Sequence, residues 1–152
     1  MLKSVFAALT IGFMATPVIG EENILLQPWA GPYGGVPPLE DVTVGHFEPA
    51  FETAIAEYLE EVDTIARQQA EPSFDNTLAA LERSGSTLDR VLRVYFIWSS
   101  TMNSADFQQV QRIMAPQLAA LEDEVSQNQA LFKRIAAIYD ARENLELTSE
   151  QL

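Results

Sequence analysis

Residues 47–70 read FEPAFETAIAEYLEEVDTIARQQA, and their periodicity decides the fold class. Phe47, Phe51, Ala54, Ile55, Tyr58, Leu59, Val62, Ile65 and Ala66 recur in steps of three and four, which is one buried face of a helix. Glu48, Glu52, Glu57, Glu60, Glu61 and Asp63 fill the remainder of the helix surface. Pro49 suits the first turn, where its missing N–H has no partner to lose. Pro72 disfavours helical geometry at Glu71, so the helix is expected to end near Ala70.

Downstream the same period returns. Ser73 is a natural N-cap for a second helix that starts Phe74-Asp75-Asn76-Thr77 and carries Leu78, Leu81, Leu88, Leu92 and Tyr95. Gly85, between two serines, marks a kink or a break. The run Val91–Trp98 is apolar almost all round and by itself fits a buried strand as well as a helix. The upstream period enters it without a turn signal, so it reads as helix, sandwiched between neighbours as the central element. Arg93 inside it is expected to be paired or snorkelling. Ser104 caps a third helix striped by Phe107, Val110, Ile113, Met114, Leu118, Leu121 and Val125. Pro116 lies inside that stripe, and a kink or split near Arg112–Pro116 is expected. Asn128 caps a fourth helix with Leu131, Phe132, Ile135, Ile138 and Tyr139. Its Lys133, Arg134 and Arg142 are placed to favour the C-terminal dipole. Thr148 and Gln151 then have the spacing of a capping box, so a further helix is expected to be cut as it begins at Leu152. The expected fold is all-α: an antiparallel bundle of about four helices over residues 47–152, a partial domain.

Upstream the chain changes character. Leu25–Ala50 reads LLQPWAGPYGGVPPLEDVTVGHFEPA, with Pro28, Pro32, Pro37, Pro38 and Gly34–Gly35. Neither a regular helix nor a central strand tolerates that content. Proline and glycine alone would describe a linker, but Trp29 and Tyr33 carry a large apolar payload. Residues 21–46 are therefore expected to be an ordered, irregular arm pinned across the helices by its aromatics. Before it, Met1–Gly20 has one lysine, a short apolar run and small residues towards Gly20, the pattern of a secretory signal peptide cleaved after Gly20. An exported, periplasmic or secreted protein without stable membrane insertion follows as the expectation.

The formal charge is −13, from 22 acids against nine Lys and Arg. That disfavours nucleic acid and anionic lipid, which both demand a positive footprint. There is no cysteine, hence no disulfide and no thiol chemistry. The single histidine, His46, sits where the first helix starts and is expected to cap or pack. Glu60–Glu61 and Glu122–Asp123–Glu124 read as solvated helix faces, with nothing to arrange them as a cation cage. Gly34–Gly35 lacks the preceding strand and the spacing of a phosphate loop. Tyr95, Phe96 and Trp98 fall at core positions, which disfavours a base-stacking platform. Composition and spacing alone stop at an exported acidic helical domain without chemistry of its own.

Three stretches taken together go further: Asn23–Trp29 with Gly31–Pro38, His46–Glu52, and Ser73–Gly85. In order and spacing they resemble the N-terminal region of the thimet-oligopeptidase-like zinc metallopeptidases, nearest to bacterial peptidyl-dipeptidase of the Dcp type and oligopeptidase A. The likeness runs from about Asn23 to Leu152, including Asn128–Phe132. The resemblance implies a longer, mostly helical, monomeric parent that hydrolyses short peptides, with zinc held by two histidines on one helix and a downstream glutamate. No position here matches those residues, so no catalytic, cofactor-binding or metal residue is expected in this chain, which would be inactive without the catalytic half. The family's N-terminal helices help to form a channel wall, a role carried over to the region as a whole. The alternative from another class is a stand-alone periplasmic helical module that binds peptides or acts like a chaperone. A structural interaction protein unrelated to peptidases would require the three matches to be accidental.

Overall fold

The computed structural model describes residues 23–32 and 35–145. The expected signal peptide, the Tyr33 pin and the Thr148–Gln151 capping box lie outside these residues. Among these residues five α-helices follow in order: α1 (Phe47–Arg67), α2 (Ala79–Arg83), which continues the π-helical turn Phe74–Leu78, α3 (Ser86–Thr101), α4 (Ala105–Ser126) and α5 (Gln129–Ala141). With α2 only a short piece, the architecture is the all-α bundle of four long helices that the periodicity requires.

The bundle is organised around α1, not around α3 as the apolar run Val91–Trp98 suggests. α1 packs against α2, α3, α4 and α5. Its Phe47, Ala50, Phe51 and Ala54 are fully buried, and the alanines allow neighbouring helices to approach closely. α3 buries only the stripe Leu88, Val91, Val94, Tyr95 and Trp98. Phe96 is 59% exposed and Ile97 also faces outward, so the expected core placement of Phe96 is wrong. Hydrophobicity on every side of a helix does not by itself provide neighbours on every side. Arg93 pairs with Asp89 at 2.8 Å, as expected of it.

At one end of α1, Phe47 meets Phe107 edge-on with ring centroids 5.0 Å apart, and Trp98 at 5.3 Å. Phe51 meets Tyr95 in the same manner at 5.3 Å. These edge-to-face contacts tie α1, α3 and α4 together with the geometry that aromatic quadrupoles favour. The other end has a second, smaller core in which Val62, Ile65 and Ala66 of α1 receive Leu131 of α5.

The element boundaries have local causes. Thr43 N–H donates to His46 Nδ1 at 3.0 Å in the short 3-10 turn Val44–His46 that leads into α1, so His46 is the capping residue expected. Ser73 Oγ accepts from Asn76 N–H, Ser104 Oγ from Phe107 N–H and Asn128 Oδ1 from Leu131 N–H, the three caps expected. The chain breaks at Gly85, which has φ +72°. A β-carbon there would lie 2.9 Å from the Tyr58 ring, so both the turn and the close approach require glycine. α4 runs unbroken through Pro116, and the expected split is absent. Pro116 and Arg112 are both exposed, so the carbonyl left without an amide partner faces water. α1 ends at Arg67, three residues before Ala70; Pro72 has no amide for the Gln68 carbonyl, and a tertiary contact described below takes that carbonyl instead.

The arm is held by a residue that the aromatics overshadow. Leu25 is 1% exposed and lies in the main core. Asn23 fixes it, with its side-chain oxygen accepting from Leu25 N–H and its amide donating to the His46 carbonyl at 2.8 Å. Arg90 of α3 donates to the Leu26 carbonyl at 3.1 Å. Trp29 packs against the same core while only partly buried. Ala30 and Val36 form one antiparallel bridge that closes the proline-rich loop.

Candidate functional site

Two surface features and one buried cluster hold the polar and apolar groups capable of recognition. The first feature is a groove between α3 and α4. These helices run antiparallel, joined by the turn Met102–Ser104 and fastened near it by Gln111 Nε2 donating to Ser99 Oγ at 2.8 Å. Away from the turn they part, leaving a groove of about 470 Å³. Leu92 and Phe96 form one wall, Leu118 and Val125 the other, and Tyr58 of α1 the floor. Glu122 stands on the lip. Burial raises the Tyr58 pKa above its ordinary 10.0, with a smaller push from the Glu61 carboxylate. The sequence places these apolar residues on helix stripes, but not the divergence of the two helices that exposes them.

The second feature is a cleft of about 560 Å³ between α1 and α2, lined by Glu57, Glu60, Glu61 and Arg83. Glu61 is not free for a ligand, because its Oε2 accepts from Gly85 N–H at 2.6 Å. That contact caps the turn before α3. Glu60–Glu61 thus lies beside a cleft, whereas of Glu122–Asp123–Glu124 only Glu122 lines the apolar groove.

The buried cluster centres on Arg134. Its guanidinium is 7% exposed and has no carboxylate partner among the described residues. Nε donates to Thr77 Oγ1 at 3.2 Å, Nη2 to Asn76 Oδ1 at 2.9 Å, and Nη1 to the carbonyls of Gln68 and Ala70 at 3.2 and 3.0 Å. The charge is satisfied by the carbonyls just beyond the C-terminus of α1, where a helix concentrates negative potential. This corrects the expectation that Arg134 serves the dipole of its own helix. Asn76 is the hub: it also accepts from Ser73 N–H and the Thr77 hydroxyl, and donates to the Glu71 carbonyl. The stretch Ser73–Thr77, part of the family resemblance, is therefore a structural lock. Sequence reasoning missed Arg134 as its key, although a charged residue beside Leu131 and Ile135 on a buried stripe was a readable signal.

A zinc ion has no fitting seat among the described residues. His46 is the sole histidine of the sequence, and its Nδ1 accepts from Thr43 N–H. Among the described residues, no group of three or more His, Cys, Asp or Glu side chains is gathered in a way that could hold a metal ion. No helix among the described residues is long and apolar enough to cross a membrane.

What the fold defines is an all-α bundle segment with an uncovered apolar groove. The type of protein follows from comparison. No protein-family model matches the chain. It is 34% identical over 130 residues to the dipeptidyl carboxypeptidase of Salmonella typhimurium strain LT2, and 32% identical over 116 residues to that of Escherichia coli strain K12. These alignments cover 86% and 76% of this chain but only 19% and 17% of the relatives. They bear out the resemblance to the N-terminal region of a Dcp-type peptidase.

Proposed function

We propose that this chain is the exported N-terminal segment of a zinc metallopeptidase that releases dipeptides from short peptides, or cuts them internally. It contributes helical wall to the substrate channel and has no activity without the catalytic half. The observation that carries the reading is the pair of dipeptidyl carboxypeptidase relatives, matched over most of this chain and less than a fifth of theirs. With one histidine in the whole sequence, a two-histidine zinc helix must come from outside residues 1–152. Zinc, when bound there, would polarise the scissile carbonyl and activate water. The part of this segment is to position and enclose, through the α1-centred bundle and the Arg134 lock.

Reading and expressing the frame beyond Leu152 tests the proposal. A His-Glu-x-x-His pair should appear, the whole product should bind zinc and hydrolyse short peptides, and residues 21–152 alone should not. A stop codon directly after Leu152 would overturn the parent-enzyme reading.

A further inference from the structure

We infer that the groove between α3 and α4 is the seat of an amphipathic helix with an apolar stripe and lysine or arginine shoulders. The helix is supplied by the part of the longer polypeptide outside this segment. Only the origin of the occupant rests on the function proposed above; the shape and chemistry of the seat do not.

The apolar walls come first. Phe96 is 59% exposed while its neighbours Tyr95 and Trp98 are buried, so α3 presents a second apolar side to solvent. The groove continues that side onto Leu118 and Val125 of α4. Its walls are two antiparallel helices that part around Tyr58, so an elongated guest lies along them with anchors every three or four residues, as a helix does.

Charge then selects among occupants. Glu122 on the lip pairs with no cation among the described residues, and the chain as a whole carries a formal charge of −13. A second copy of this chain would bring the same excess of acids against its own like, and an anionic membrane would be repelled by those charges. Basic shoulders complement them, and like-charge juxtaposition of the alternatives is costly. The dipeptidyl carboxypeptidase relatives supply the length: the matched region is less than a fifth of each, so most of such a polypeptide remains to provide the helix.

Residues 1–152 contain no cysteine, so each thiol placed here is this segment's own, and any cysteine elsewhere in the full polypeptide is first replaced by serine. In the full polypeptide encoded by the frame, Leu92→Cys and Phe96→Cys are compared with Ser100→Cys, an exposed position on α3 outside the groove. Maleimide should label positions 92 and 96 at least tenfold more slowly than position 100. A photo-crosslinker on Phe96→Cys should capture one helical segment flanked by Lys or Arg, located by mass spectrometry. Phe96 is already solvent-facing, so its replacement leaves the core intact and a folding defect does not obscure the result. Equal labelling at the three positions overturns the inference, as does capture of a second copy or of a segment without basic flanks. Peptide hydrolysis by the same samples reports separately on the parent enzyme. Hydrolysis with an unprotected groove removes the seat and keeps the peptidase; protection without hydrolysis does the reverse.

Discussion

Arg134 Nη2 donates to Asn76 Oδ1 at 2.9 Å, joining α5 to the turn after α1 across 58 positions of sequence. The same guanidinium holds the Gln68 and Ala70 carbonyls just beyond the end of α1, where Pro72 offers no amide to continue the helix. Arg134→Met should cost about 3–5 kcal/mol, because buried acceptors at Thr77, Asn76 and both carbonyls lose their donor at once. Arg134→Lys should recover only part of this, since an ammonium does not reproduce the planar fork. Urea unfolding of the two variants checks the order, and equal stability of Met and wild type would refute the lock.

Gly85 separates α2 from α3 with φ +72° and lies against Tyr58. Gly85→Ala should destabilise by about 1–3 kcal/mol, from left-handed backbone strain plus the collision with the ring. A second change, Tyr58→Leu, should relieve the steric part and leave the backbone part. A double-mutant cycle by thermal denaturation measures that coupling.

Leu25 anchors the arm more deeply than Trp29 does. Leu25→Ala should cost about 3 kcal/mol, in the range of buried leucine truncations. It should also speed proteolytic cleavage between Pro28 and Pro38. Trp29→Leu should cost less, because Trp29 is only partly buried. The reverse ranking in a denaturation series would return the arm to its aromatics.

Burial, and to a lesser degree Glu61, raises the Tyr58 pKa above 10.0, and burial raises that of Tyr95. The folded state therefore holds these phenolic protons more tightly than the unfolded state. The corresponding stability is complete below about pH 10 and is lost as pH rises through the folded-state values. Denaturation midpoints should fall on the alkaline side, and Tyr58→Phe should flatten part of that fall. Phenolate absorbance gives the titration directly.

Pro116 interrupts the bonding of α4 on its solvent side. Pro116→Ala should restore an amide for the Arg112 carbonyl and raise stability by about 1–3 kcal/mol. Calorimetry on the pair suffices. A loss of stability would show that the helix depends on the proline ring.

Much of the fold was legible because its causes are local. Caps at Ser73, Ser104 and Asn128 and the ion pair of Arg93 all follow from residues within four positions of each other. The site was less legible. Phe96 looks like core in sequence, since hydrophobic character reports what a side chain prefers and not whether a neighbour is present. Arg134 looked like an ordinary helix cation because its partners are 57 to 66 positions away.

By itself the sequence determined the helices, their caps and inner faces, and the all-α class, because periodicity and capping are short-range physics. Its order of short stretches also made legible the likeness to part of the dipeptidyl carboxypeptidases that the alignments bear out. Only the tertiary structure decided that α1 is the hub, that Leu25 seats the arm, that Arg134 satisfies the carbonyls beyond α1, and that α3 and α4 leave an apolar groove between them. Each of these depends on which faces meet across long sequence separations, where packing and the satisfaction of buried polar groups overrule local preference.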